Sequence, residues 1–153
     1  MNRVLFASGH GGWETPRELY DEIDREFGFT LDTAASDDNA LAPAHYTEAD
    51  NALVLPWHGR AWCNPPYGRR VGQWVEKAYR EVHEHRHALV VVMLLPARTD
   101  TRWFQDWAMR AQELRFIRGR LRFGGAKQGA PFPSVLVVFH ALPVIRGAHE
   151  GNT

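Results

Sequence analysis

Cysteine is almost absent from the sequence, and no long apolar stretch occurs in it. With one cysteine among 153 residues, Cys63, no disulfide bond can form within the chain, which predicts a reducing compartment, the cytoplasm. The longest apolar run, residues 88–95, has the length of a strand, whereas a membrane span needs roughly 18 residues. Residues 1–12 contain too short an apolar patch for a signal peptide. These absences and the chain length predict one domain with no membrane partner.

Lysine is also scarce, and the charges are unevenly distributed. The 18 basic residues include only two lysines and balance 18 acidic residues, so the net charge is zero. Residues 14–50 nevertheless contain 11 acidic residues and two arginines, a net charge of −9, and residues 60–127 contain 14 basic and six acidic residues, a net charge of +8. The planar arginine fork suits bidentate phosphate contacts. The distribution therefore favours a nucleic-acid partner, although solvated helix faces in an arginine-rich composition explain the arginine bias equally well.

Hydrophobic periodicity predicts helices alternating with strands. The first helix is expected to begin with Thr15 as N-cap and Pro16 as its first residue, and to end at Gly28. The continuous apolar run 88–95 indicates a strand with both faces covered, as in a parallel sheet. The other predicted elements are helices at 71–85 and 101–112, strands at 29–31, 60–63, 114–117 and 135–139, and a brief strand near 45–47.

This alternation predicts an α/β fold in which helices pack on a mostly parallel sheet. We expect a single domain over residues 13–145, a flexible N-terminus over 1–12 and a frayed tail over 146–153. Residues 118–134 are rich in glycine and arginine and are expected to form an exposed loop with a small hairpin.

Three segments follow predicted strands and should lie at one edge of the sheet. These are Asp32, the tetrapeptide Asn64-Pro65-Pro66-Tyr67 and the segment 96–98. In parallel sheets, ligands bind beyond the carboxyl ends of the strands. The edge is therefore the predicted binding site.

The tetrapeptide Asn64-Pro65-Pro66-Tyr67 is suited to holding a planar group that carries an NH2. Two consecutive prolines fix their φ angles and make the loop rigid. The Asn64 side-chain carbonyl and the Pro65 carbonyl are two hydrogen-bond acceptors, and Tyr67 offers a flat ring for stacking. An exocyclic amine or a side-chain amide fits this arrangement. The alternative is a structural Pro-Pro turn with a core tyrosine.

The tetrapeptide is similar to the Asn/Asp-Pro-Pro-Tyr motif of amino methyltransferases that use S-adenosylmethionine. With further segments in the same order, the chain resembles the phage-encoded DNA adenine-N6 methyltransferase (Dam-type) family. The matching segments are Trp13-Glu14-Thr15-Pro16, 27–32, Ala34-Ala35, 64–68, 95–101 and 119–123.

The resemblance implies a minimal Rossmann-like methyltransferase fold and an adenine-specific DNA methyltransferase of a phage or prophage, acting in a bacterial host cytoplasm, as restriction-modification enzymes do. Asn64 and the Pro65 carbonyl would accept hydrogen bonds from the adenine N6 amino group, Pro66 would keep the loop rigid, and Tyr67 would stack on a base flipped out of the duplex. Phe123 or Phe132 is a candidate second stacking face, with core packing as the alternative. No metal is implied.

The resemblance also implies a cofactor site, although the usual glycine-rich turn is missing after Asp32. Asp32 would bind the ammonium group of S-adenosylmethionine, and Asp50 or Glu48 would contact its adenosine. Thr15 would both cap the helix and contact the cofactor carboxylate. The implied cofactor-binding residues are Thr15, Pro16, Asp32, Ala34, Ala35, Glu48 and Asp50.

The densest basic segment is expected to contact DNA phosphates, with a solvated surface as the alternative. Because the chain has little room for a separate recognition domain, target recognition would come from loops or from a homodimer, or would be loose. The arginines concerned are Arg98, Arg102, Arg115, Arg118, Arg120 and Arg122.

Other functions remain open at this point. The same tetrapeptide occurs in methyltransferases that act on RNA guanine or on a glutamine amide in proteins. A non-catalytic DNA-binding module on the same fold is a further alternative. His83, His85 and His87 follow or end the second helix, where interaction with the helix dipole explains them better than a metal site.

Overall fold

The computed structural model describes residues 13–141, so the predictions for residues 1–12 and for the tail 146–153 lie outside the described part. One sheet of six strands is flanked by helices on both faces. The helices are α1 (Arg17–Phe27), α2 (Val71–His83) and α3 (Arg102–Asp106), and the strands are β1 (Leu31–Asp32), β2 (Ala44–His45), β3 (Gly59–Cys63), β4 (Ala88–Pro96), β5 (Glu113–Phe116) and β6 (Ser134–His140).

The strand order across the sheet is β2-β1-β3-β4-β6-β5. The first four strands in this order pair in parallel, whereas β6 pairs antiparallel with both β4 and β5. The prediction of an α/β domain with a mostly parallel sheet is therefore confirmed. The carboxyl ends of β1, β3 and β4 lie at one edge, which brings together the three predicted binding segments.

Strand β4 lies in the middle of the sheet, and its side chains alternate between two apolar clusters. Val91, Met93 and Leu95 pack on the face covered by α2 and α3, where Trp57 and Phe104 are also buried. The residues between them pack on the face covered by α1. This double coverage explains why the strand reads as a continuous apolar run. Within residues 13–141, no helix has both the length and the apolar content needed to cross a membrane.

The start of α1 differs from the prediction. Pro16, not Thr15, occupies the N-cap position, with φ −59° and ψ 126°, and no side chain caps the helix. The Thr15 hydroxyl instead accepts a hydrogen bond from the Asn64 amide at 3.0 Å, so it is engaged by the end of β3. The predicted stop at Gly28 is confirmed, because this residue has φ 64° and its N–H donates to the Asp24 carbonyl.

The predicted helix over 101–112 is interrupted after its first turn and a half. Helix α3 ends at Asp106, and a separate 3-10 turn follows over Ala108–Arg110. The break lies at Trp107, whose ring packs against Tyr79 at 5.6 Å and beneath the Arg110 guanidinium at 4.7 Å. The helix therefore ends where the Trp107 ring packs on α2.

Residues 118–134 are only partly the exposed loop that the sequence predicts. The Ala130 N–H donates to the Leu121 carbonyl at 2.8 Å and closes a narrow loop. Phe123, Ala130 and Phe132 are buried against the sheet, and the residues from Gly124 to Gly129 are exposed. The apolar side chains of this segment therefore belong to the core, and its charged side chains face solvent.

A buried carboxylate on α2 joins this helix to the two loops that precede β3 and β4. Glu81 is 1% exposed and accepts hydrogen bonds from Lys77, from the Trp57 N–H at 3.3 Å and from His87 at 2.7 Å. Burial acts to raise the pKa of Glu81, but these hydrogen bonds outweigh it and hold the pKa below its usual value. The sequence gives no sign of this group, because its partners lie 4, 6 and 24 positions away.

Replacing Glu81 with Gln should destabilise the protein, because Lys77 then keeps a charge beside a neutral group in a buried setting. We expect a loss of about 2 kcal/mol in the free energy of unfolding. Glu76→Gln is the matched control, since the pair of Glu76 with Arg80 at 3.0 Å is far more solvent-accessible than Glu81 and its loss should cost less than about 0.5 kcal/mol. Urea denaturation measures both. Equal losses in the two variants would contradict this account of Glu81.

Candidate active site

A cavity of about 200 Å³ opens at the carboxyl edge of the sheet. It brings together four residues that the sequence singles out, Thr15, Asp32, Ala34 and Asn64, from three separate segments. A second cavity of about 280 Å³ borders it and shares two of its lining residues, Glu14 and Asn39. The first cavity is lined by Glu14, Thr15, Arg17, Asp32, Ala34, Asn39, Leu41, Trp62 and Asn64, and the second by Glu14, Ser36, Asp38 and Asn39.

Asp32 ends β1 and places a buried carboxylate in the first cavity. It is 3% exposed and accepts hydrogen bonds from the N–H groups of Leu41 at 3.1 Å and Ala34 at 3.3 Å. Desolvation raises the pKa of Asp32 to about 6, and these two hydrogen bonds oppose the rise. At neutral pH the carboxylate is therefore mostly ionised, at a cost that a cationic ligand would reduce.

Asn64 follows β3 directly and has an oriented side-chain amide. It is 3% exposed, and its Nδ2 donates to the Trp13 carbonyl oxygen at 2.7 Å and to the Thr15 hydroxyl at 3.0 Å. Its Oδ1 is buried and accepts no hydrogen bond from any residue in 13–141. Buried polar atoms without partners are rare in folded proteins. The amide thus offers a fixed acceptor at the cavity.

Tyr67 is held by its hydroxyl group at the other end of the tetrapeptide. The hydroxyl donates to the Leu94 carbonyl on β4 at 2.9 Å, and burial raises the pKa of Tyr67, which keeps the phenol protonated. The ring meets Phe132 edge-on, with centroids 5.7 Å apart at 78°. The side chain is half-buried, and Pro65 and Pro66 are buried. The tether leaves the ring with a fixed orientation.

The two candidate second stacking residues lie in the core. Phe123 is 4% and Phe132 is 8% exposed, as the core-packing alternative expects. Both rings contact Trp13 edge-on, at centroid distances of 5.5 and 5.1 Å. They support the segment before α1 and the ring of Tyr67.

Several predicted cofactor residues lie outside both cavities. Asp50 accepts hydrogen bonds from the Thr47 N–H at 2.7 Å and hydroxyl at 3.1 Å, which hold its pKa below the usual value, and Glu48 is exposed on the same short turn. Ala35 is buried, with its N–H bonded to the Tyr46 carbonyl, and Pro16 is the N-cap residue of α1.

Besides Asp32, the acidic residues that border the cavities are Glu14 and Asp38. Asn39 links Glu14 to the segment after β1, because its side chain donates to Glu14 at 3.4 Å and accepts from the Ser36 N–H at 2.8 Å. The sequence contained a signal for both acids, since Glu14 directly precedes Thr15 and Asp38 follows β1 by a few residues. Neither acid is among the site residues predicted from the sequence.

Five of the six predicted DNA-contacting arginines are exposed and form no ion pair with any residue of the described part, namely Arg98, Arg102, Arg118, Arg120 and Arg122. Arg115 does not fit the prediction, because its guanidinium binds Glu26 at 2.6 and 2.7 Å and Glu113 at 2.7 Å. These bonds raise the pKa of Arg115 further and occupy its donors.

The histidines near the end of α2 have structural partners. His83 bonds to the Gln112 side chain at 3.1 Å, and His87 bonds to Glu81 at 2.7 Å. Among residues 13–141, no group of three or more His, Cys, Asp or Glu side chains is arranged to hold a metal ion.

Known proteins resemble this chain over most of its length. The DNA N-6-adenine-methyltransferase (Dam) family model matches residues 6–145. The chain is 35% identical over 112 residues to the DNA N-6-adenine-methyltransferase of Escherichia phage T1, a match that covers 71% of this chain and 45% of that protein. It is 30% identical over 136 residues to the DNA N-6-adenine-methyltransferase of Haemophilus phage HP1 (strain HP1c1), covering 83% of this chain and 77% of that protein.

The match to the phage T1 protein thus spans less than half of that protein's length. A solved structure, SMU.472, is named only provisionally as a methyltransferase and was crystallised with SAH. It covers 84% of this chain and 29% of its own chain at 16% identity and a TM-score of 0.41, which is too remote to bear on activity.

The six-stranded, mostly parallel sheet agrees with the methyltransferase fold that the sequence predicts. The family model covers every described residue and includes both the cavity and Asn64-Pro65-Pro66-Tyr67. This chain belongs to the DNA N-6-adenine-methyltransferase (Dam) family.

Proposed function

We propose that the protein transfers a methyl group from S-adenosylmethionine to the N6 amino group of adenine in DNA. The observation that carries this proposal is the free acceptor Oδ1 of Asn64, buried at a cavity that also contains the carboxylate of Asp32. Asn64 Oδ1 can accept a hydrogen bond from an amine, and the Asp32 carboxylate can bind a cationic ligand. The names of the phage relatives give the substrate.

The residues around the two cavities fit S-adenosylmethionine, whose sulfonium supplies an electrophilic methyl group. Asp32 would hold the ammonium of its amino-acid part, and Arg17, which lines the same cavity, would attract the carboxylate. Glu14 and Asp38 border the second cavity, where their carboxylates would accept hydrogen bonds from ribose hydroxyls. We propose this pair in place of Glu48 and Asp50, which lie elsewhere.

The chain's own contribution to the reaction is to position the amine. Asn64 Oδ1 and the Pro65 carbonyl would accept the two N6 hydrogens and direct the nitrogen toward the methyl group. Tyr67 would stack on the base, with its ring held by the bond to Leu94. Flipping the adenine out of the duplex costs a few kcal/mol, which these contacts would offset.

DNA would approach through the exposed arginines that follow β4 and β5. Each of these guanidinium groups can contact a phosphate, because none is paired with a carboxylate of the described residues. The arginines concerned are Arg98, Arg118, Arg120 and Arg122. The proposed place of action is the cytoplasm of a bacterial host. Cys63 agrees with a reducing compartment, since it is buried and unpaired.

A free oriented acceptor would also hold an RNA guanine amine or a glutamine amide, so the substrate class needs a direct test. Purified protein is incubated with S-adenosylmethionine labelled in the methyl group and, in parallel, with DNA, RNA and protein. We expect label in DNA, at N6-methyladenine after digestion. Label only in RNA or protein contradicts the proposal, and absence of cofactor binding in calorimetry would favour a non-catalytic DNA-binding module.

Replacing Asn64 with Ala should abolish methyl transfer, because the acceptor for the target amine is lost. We expect a decrease of about a hundredfold or more in kcat, as for other groups that act on the reacting centre. Circular dichroism and calorimetry should show a folded protein whose affinity for S-adenosylmethionine is nearly unchanged. Transfer at the wild-type rate would rule out the assigned role of Asn64.

Cofactor binding should strengthen as pH rises toward 6 and then level off. Below pH 6 the Asp32 carboxyl is protonated in the free protein and must lose its proton to bind an ammonium group. Affinity should therefore rise roughly tenfold between about pH 5 and pH 7. Isothermal titration at several pH values measures it. Asp32→Asn should bind weakly and without this dependence, and an unchanged dependence in that variant would assign it to another group.

Replacing Arg118 or Arg120 with Ala should weaken duplex binding and reduce its salt dependence. Each lost phosphate contact lowers the slope of log Kd against log salt concentration by about 0.9. Fluorescence anisotropy with a labelled duplex gives the slope. Arg25→Ala is the matched control, since Arg25 is exposed on α1 and carries the same charge. The placement of DNA would be wrong if the control changed the slope as much as the two variants.

A further inference from the structure

The direction in which the Asn64 amide points depends on its hydrogen bonds. Its oxygen and nitrogen ends are nearly equal in size, so packing alone does not distinguish them. The Trp13 carbonyl oxygen is 2.7 Å from Nδ2 and can only accept. A flipped amide would place Oδ1 against this oxygen, so that two acceptors would repel each other. The carbonyl therefore determines which end of the amide faces the cavity.

Thr15 fixes the second amide hydrogen. Its hydroxyl accepts from Nδ2 at 3.0 Å, and with the Trp13 carbonyl it engages both hydrogens of the amide group. Neither hydrogen is left to point toward the cavity, where it would repel an NH2 group. The hydroxyl can accept this bond and still donate its own proton.

The segment that carries both acceptors is itself held in place. The Glu14 carbonyl accepts from the Gly124 N–H at 2.9 Å, and the Trp13 ring packs on Phe123 and Phe132. The acceptors for Asn64 are thus supported by the segment that carries the exposed arginines.

We propose that Trp13 and Thr15 are positioning residues that clamp the Asn64 amide with Oδ1 toward the substrate amine. Thr15 in this role is not a helix cap, and its effect on the reaction passes through Asn64. The kinetic part of this inference rests on the proposed methyl transfer, whereas the orientation of the amide does not.

Two variants of Thr15 separate the clamp from other roles. Thr15→Val keeps the shape and removes the acceptor, and Thr15→Ser keeps the hydroxyl. The first measurement is hydrogen exchange of the Asn64 side-chain NH2 by NMR in 15N-labelled protein, with its signals identified by their loss in Asn64→Ala. We expect exchange of one amide hydrogen to accelerate about tenfold or more in Thr15→Val and to stay near wild type in Thr15→Ser.

The second measurement is kcat at saturating S-adenosylmethionine, which removes any effect on cofactor binding. We expect kcat to fall about tenfold in Thr15→Val and to recover to within about twofold in Thr15→Ser. A Thr15→Val protein with a raised KM for the cofactor but wild-type kcat and exchange would overturn the proposal, and Thr15 would then be a cofactor ligand alone. If the wild-type protein transfers no methyl group to DNA, the proposed function fails, and the exchange measurement still decides whether the clamp exists.

Discussion

The hydrogen bonds from the Asn64 amide to the Trp13 carbonyl and the Thr15 hydroxyl connect residues 51 and 49 positions apart in the sequence. They tie the segment before α1 to the carboxyl end of β3, and the cavity lies between these two parts. Because the bonds engage both amide hydrogens, they leave one buried oxygen without a partner. The same two bonds therefore hold the two sides of the cavity together and leave Asn64 Oδ1 as a free hydrogen-bond acceptor. One interaction thus joins the segment before α1 to the tetrapeptide and orients the acceptor, while the Gly124 N–H and the rings of Phe123 and Phe132 also hold this segment.

Asp32 is the second polar group of the site that is buried. Its ionised carboxylate lowers the stability of the folded protein, so the binding site is maintained at a cost. A pKa of about 6 instead of 3.8 corresponds to roughly 3 kcal/mol against the ionised form. This is the net cost, because the hydrogen bonds from the backbone N–H groups of Ala34 and Leu41 have already offset part of the desolvation. Small residues after β1 leave space beside the carboxylate, where other Rossmann-like sites have glycines. The acidic stretch of the sequence, residues 14–50, contributes Glu14, Asp32 and Asp38 to the cavities. The basic stretch, residues 60–127, carries the exposed arginines.

The elements that could be predicted from the sequence are those whose pattern is local. The apolar run of β4, the periodicity of α1 and α2 and the stop at Gly28 depend on near neighbours, and the structure confirms them. The Thr15 cap was wrong because a distant amide competes for the same hydroxyl. The ends of α3 and the buried ion pair of Glu81 likewise depend on contacts between elements. Of the candidate site, the tetrapeptide and Asp32 were identified from the sequence, whereas Glu14 and Asp38 were not, because their place at the cavities depends on how the segments before α1 and after β1 come together.

The segment between β5 and β6 is fixed at both ends and open in the middle. Phe123 and Ala130 are buried, the Gly124 N–H is bonded to Glu14, and residues 125–129 are exposed. Substitutions of Ala126, Lys127 or Gln128 would alter the surface beside the arginines and leave the supports of Asn64 in place, whereas Gly125 has φ 73° and a Cβ at Gly129 would lie 2.7 Å from the Cβ of Arg120. Under the proposed function, a longer stretch here would change the contacts with bases around the target adenine without altering the supports of Asn64.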